Sequence, residues 1–171
     1  MSSRLIKLLV ALLILAWAVY QFTHVHIGNG IFFILLTGIP VLFYFFNVRN
    51  LLALWFLRKQ NFQRASQLLE SVKHPEHMRK NQEAYHYFLK GLVASQVPGA
   101  GKAEHLLKKS LNMGLKMDHD RAMAQLNLAG IYLSQRKKRL AINMLTEVKK
   151  SKSAGMLKDQ IKLIEQQMRR I

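Results

Sequence analysis

The side chains with the widest chemical range in this chain are its seven histidines. His24 and His26 stand two apart in the stretch THVHIGNG. His74 and His77 bracket Pro75 and Glu76, with His86 further along. A zinc site needs a complete set of three or four ligands, and a helical His-Glu-x-x-His would place two of them on one face. No such set is visible, so no metal and no cofactor are expected, and the histidines read as solvent-exposed or interfacial. Gly99 and Gly101 lie between two helical stretches with no strand before them, which excludes a phosphate-binding loop. Nine Asp and Glu residues are scattered over helices and form neither a carboxylate pair nor a triad. Catalysis is not expected.

Charge is the next candidate for chemistry. The formal net charge is +17. Residues 1–50 contribute Arg4, Lys7 and Arg49 and no acid, while the remaining 121 residues carry 23 Lys and Arg against 9 acids. Such an excess favours anionic lipid surfaces, nucleic acid or acidic proteins as partners, and says nothing of fold. The densest run is Arg136, Lys137, Lys138 and Arg139, followed by Lys149, Lys150 and Lys152. It reads as an anionic-surface patch suited to lipid head groups, where each nearby cation contributes about 1 kcal/mol. Nucleic acid is disfavoured there because the run lacks interleaved aromatics for base stacking. No cysteine is present, so there is no disulfide framework.

The elements that would position these groups are helical. Residues 125–151 (QLNLAGIYLSQRKKRLAINMLTEVKKS) read as two antiparallel helices joined by a basic turn. Small residues, Ala129 and Ala141, stand where the helices must approach closely, and Tyr132 and Leu145 fill the space beside them. The pattern recurs at steps of 38 residues. Ala65, Ala103 and Ala141 are each followed four residues later by Leu69, Leu107 and Leu145. Twelve residues before each alanine come Ala53, Gly91 and Ala129, and nine before come Phe56, Ala94 and Tyr132.

This small-small-leucine register resembles the tetratricopeptide repeat, a helix pair that cannot bury its apolar face alone and must stack on a neighbour. Lys90 departs from the pattern where a leucine is expected, as does Ser110 where an alanine is. The resemblance implies three helix pairs, over about 48–73, 83–114 and 118–151, within 48–152. A closing helix in 153–171 carries Leu157, Ile161, Ile164 and Met168 on one stripe. It also implies a groove lined by the first helices of successive pairs. By register the lining is Asn50, Leu54 and Leu57, then Tyr85, Phe88 and Leu92, then Met123, Leu126, Asn127 and Leu133. That lining is mostly apolar and suits a peptide or amphipathic helix, with filling by a second copy or by this chain's own helices as the alternative.

Ahead of the repeats, residues 1–47 contain two apolar runs, Leu5–Phe22 and Ile31–Phe46, joined by residues 23–30. Eighteen helical residues reach about 27 Å, close to a bilayer core of about 30 Å. The runs therefore read as a hairpin of two transmembrane helices, the second interrupted at Gly38 and Pro40. Cationic flanks (Arg4, Lys7; Arg49, Arg58) and an uncharged turn predict that both termini are cytoplasmic. A cleaved signal segment is the rival reading of the first run. The expectation is an all-α protein: two transmembrane helices, a short α-solenoid resembling tetratricopeptide repeats, and a capping helix. The expected role is a membrane-anchored adaptor or scaffold that recruits a protein partner. The alternatives are a basic docking protein for ribosomes or nucleic acid, and a permanent accessory subunit of a membrane complex.

Overall fold

The computed structural model describes residues 3–23, 31–38, 48–96 and 100–170. The turn with His24 and His26, the stretch with Pro40 and residues 97–99 of the middle turn lie outside the described residues. Every described regular element is helical. In order they are α1 (Ser3–Thr23), a helical stretch over 31–38, α2 (Val48–Arg58), α3 (Phe62–Glu70), a 3₁₀ turn (Pro75–His77), α4 (Lys80–Ser95), α5 (Ala100–Met113), α6 (Asp118–Ser134), α7 (Lys138–Lys150) and α8 (Lys158–Arg169). The chain divides into two compact units, 1–51 and 52–171, with the boundary inside α2.

In the N-terminal unit the structure corrects the two membrane-crossing helices. Among the described residues no helix is long and apolar enough to cross a membrane. Within α1 the stretch free of strongly polar residues, between Lys7 and Gln21, is 13 residues, or about 20 Å at 1.5 Å per residue. Of the second run, residues 31–38 are described as helix, and 39–46 lie outside the described residues. Assignment as an integral membrane protein with both termini cytoplasmic falls with those spans. On α1, Ala11 and Ala18 are buried, while Leu12, Leu13 and Trp17 are exposed.

In the C-terminal unit α4–α5 and α6–α7 are packed helix pairs, α3 packs on α4 and α8 on α6, and Ala53 of α2 shares the apolar core with Ala65 and Leu69 of α3. Three of the four sets that recur at 38 are buried throughout, while Phe56 and Ala94 of the fourth are half-buried. Ala65, Ala103 and Ala141 have no exposed surface, and Leu69, Leu107 and Leu145 are buried four residues on. Ala53, Gly91 and Ala129 are buried opposite them. At the middle pair the approach is close: a Cβ on Gly91 would lie 2.7 Å from Leu107 Cγ and 3.2 Å from its backbone nitrogen. Only glycine fits there. One apolar core runs from Ala53 on α2 through Leu89 on α4 and Leu107 on α5 to Ala141 on α7. A second joins Ala122, Leu126 and Ala129 of α6 to Leu145 and Val148 of α7 and Leu157 and Ile161 of α8.

The turns inside the first and third pairs share one design. Gln60 and Arg136 both have positive φ, 60° and 58°. After α2 the Asn61 N–H donates to the Phe56 carbonyl at 2.9 Å and the Gln60 N–H to Leu57 at 3.0 Å. After α6 the Lys137 N–H donates to Tyr132 at 2.8 Å and the Arg136 N–H to Leu133 at 2.9 Å. This is the Schellman arrangement, which satisfies the last carbonyls of a helix with one left-handed residue. α5 instead ends before Gly114, whose φ of 86° suits its lack of a side chain.

Candidate functional site

The C-terminal unit leaves an open groove of about 370 Å³ along α6. Leu126, Asn127, Gly130, Ile131 and Ser134 of α6 form its floor. Ser95 and Gln96, at the end of α4, form one wall, and Gln160, Leu163 and Ile164 of α8 form the other. The helical period places 126, 127, 130, 131 and 134 on one face. Gly130 lies beside α8, where a Cβ would meet Ile164 Cδ1 at 3.5 Å, an ordinary contact. Asn127 is held inward, its Nδ2 donating to the Met123 carbonyl at 2.8 Å. Ser95 Oγ donates to the Leu92 carbonyl at 2.8 Å and lies 3.5 Å from Asn127 Oδ1. None of the ten lining residues carries a charge.

Of the residues assigned to the groove by register, Leu126 and Asn127 line it. Phe88, Leu126 and Leu133 are buried, at 2%, 5% and 3% exposure. Leu54, Leu57, Tyr85, Leu92 and Met123 are half-buried and pack against the main core. Asn50 is buried and belongs to the N-terminal unit. The wall supplied by α8 was not in the sequence-based set. Its signal was Leu163, which widens the stripe of Leu157, Ile161, Ile164 and Met168.

All six residues of the basic patch are exposed. Lys149 pairs with Glu165 at 2.5 Å and Lys150 with Glu147 at 3.6 Å, so these two are answered by acids. Among the described residues no ion pair engages Arg136, Lys137, Lys138 or Arg139. Glu104 on α5 reaches the start of this turn. Lys108 Nζ donates to it at 2.6 Å and Gln135 Nε2 at 3.0 Å. Those two bonds, and then the charges of Lys108 and Lys137, hold its carboxyl below the usual range.

His86 is fully buried on α4, which departs from the expectation of exposed or interfacial histidines. Burial, and then the positive charge of Lys90, push its pKa down to about 4, so it is neutral near pH 7. Tyr85 is pushed up to about 12, first by burial and then by the charge of Asp120. Asp120 is itself raised by burial. His74 Nδ1 lies 2.9 Å from Glu76 Oε1 and its ring stacks on His77, with centroids 5.2 Å apart. Among the described residues no three His, Asp or Glu side chains are grouped to hold a metal ion.

No family model, no curated protein and no solved structure matches this chain.

Proposed function

We propose that this chain is a protein-interaction scaffold, a short helical array resembling tetratricopeptide repeats that holds a partner segment in the groove along α6. The observation that carries this reading is the groove's composition. An open groove runs over the nearly buried Leu126 and Ile131, with an apolar wall of Leu163 and Ile164 and a border of amides and hydroxyls. Such a surface takes the apolar face of a helix and offers polar partners at its edges. The stacked pairs give it a rigid floor, since Ala129 and Leu133 behind it are core residues.

The test is recovery of partners by the full-length chain at low and high salt, beside Leu163→Asp. Leu163 is 56% exposed, so the change tests binding and spares the core. Phe88→Asp would report folding, since Phe88 is buried. A defined protein that survives high salt and is lost with Leu163→Asp supports the scaffold. Recovery of nucleic acid alone, released by salt, supports a second reading. In that reading the exposed Arg136–Arg139 turn docks a polyanion, with binding that falls steeply as salt rises.

A further inference from the structure

The groove and the basic turn meet end to end, and the geometry points to one kind of partner: an amphipathic helix whose apolar stripe is preceded by an acidic first turn. This inference rests on the scaffold reading and adds the partner's charge. Ser134 closes the groove's floor. Two residues on, at most about 7 Å along the backbone, comes Arg136 with its side chain exposed. The next three residues are Lys137, Lys138 and Arg139. The groove lining is uncharged, so a ligand seated there gains no charge pairing inside it. Complementarity must come at the end, and there it is one-sided.

Glu104 is the acid that faces this turn, and it is already bound by Lys108 and Gln135. Lys137 adds its field to that group. Arg136, Lys138 and Arg139 are left for a ligand. These cations also sit at the N-terminus of α7, which has no acid in its first turn. Positive side chains there add to the positive end of the helix dipole and do not offset it. Acidic residues gather in the first turns of helices for the same reason. A partner helix with such a start satisfies both ends at once: leucines on Leu126, Ile131 and Leu163, carboxylates on Arg136 and Lys138.

Three synthetic peptides test this with the full-length chain. Each carries leucines at i, i+3, i+4 and i+7 and differs only in a first turn of glutamates, glutamines or lysines. Fluorescence anisotropy at moderate salt reads the affinities. The glutamate peptide is expected to bind about tenfold more tightly than the glutamine one, and the lysine peptide most weakly. Arg136→Gln with Lys138→Gln should bring the glutamate peptide's affinity down to that of the glutamine peptide. Leu163→Gln should weaken the glutamate and glutamine peptides alike, with helicity by circular dichroism unchanged. Equal binding of all three peptides overturns the charge assignment and leaves the groove reading standing. No binding, or binding indifferent to Leu163→Gln, overturns both. A leucine-free acidic peptide that binds as well shows a general polyanion surface and overturns the assignment. Self-association that Leu163→Gln abolishes and the peptides do not displace makes a second copy the occupant, which also overturns it.

Discussion

Gln60 and Arg136 occupy the same left-handed backbone position two 38-residue steps apart, each closing the first helix of a pair with the same two hydrogen bonds. Neither is glycine, so each carries the cost of a Cβ in that region, about 1–2 kcal/mol. Arg136→Gly, and separately Gln60→Gly, should therefore raise stability by about 1 kcal/mol in chemical denaturation. Arg136→Val should lower it. Unchanged midpoints for both glycine variants would remove the strain argument.

The N-caps that follow these turns are also equivalent and differ in chemistry. Asn61 accepts from the Arg64 N–H at 3.2 Å, whereas Lys137 makes no side-chain cap bond. Asn61→Ala should cost about 1 kcal/mol. Lys137→Asn should stabilise by a similar amount, about 1 kcal/mol, since it adds an acceptor where none exists. Thermal melts of the two variants check both signs.

Gly91 and Gly130 offer a contrast within one architecture. Gly91→Ala drives a Cβ to 2.7 Å from Leu107 Cγ and close to its backbone, and should cost about 1–3 kcal/mol. Gly130→Ala makes only ordinary contact with Ile164. It should be neutral or gain up to about 1 kcal/mol from helix propensity. A tolerated Gly91→Ala would mean that α4 and α5 can move apart freely.

His86 predicts a pH dependence. Its folded pKa is depressed to about 4 from 6.5, so the unfolded chain binds the proton first. Stability from this group is complete above pH 6.5 and is lost as pH falls from about 6.5 to about 4. The loss is roughly 3 kcal/mol, from the gap between 6.5 and about 4. Asp120, raised by burial, acts in the opposite sense. The readout is therefore the difference between wild type and His86→Leu across pH 4–7. A difference that stays flat over that range would contradict the assignment.

How much was legible beforehand is clearest at particular residues. The buried set Ala65, Leu69, Ala103, Leu107, Ala141 and Leu145 falls on the recurring positions that spacing picks out. A close helix crossing needs small residues at fixed intervals, and a period in the sequence becomes a period in space. The uncharged groove was only half legible. Leu126 and Asn127 line it, but Phe88 and Leu133, on the same kind of helix face, are covered. Which side of a helix stays open depends on the neighbours that pack on it, and register within one helix does not contain that information.

The apolar N-terminal runs misled because hydropathy counts residues and not the helix they form. Lys7 and Gln21 bound the apolar part of α1, and among the described residues no helix is long and apolar enough to cross a membrane. His86 shows the same limit in reverse: nothing in the letters HYF marks it as buried, yet the packing of α4 removes it from water. Local spacing thus determined which residues pair within each helical hairpin, because those contacts are short-range and periodic. Only the tertiary structure decided where α8 lies, what it leaves open beside α6, and which charges of the Arg136–Arg139 turn go unanswered. Those outcomes depend on contacts between elements far apart in the chain.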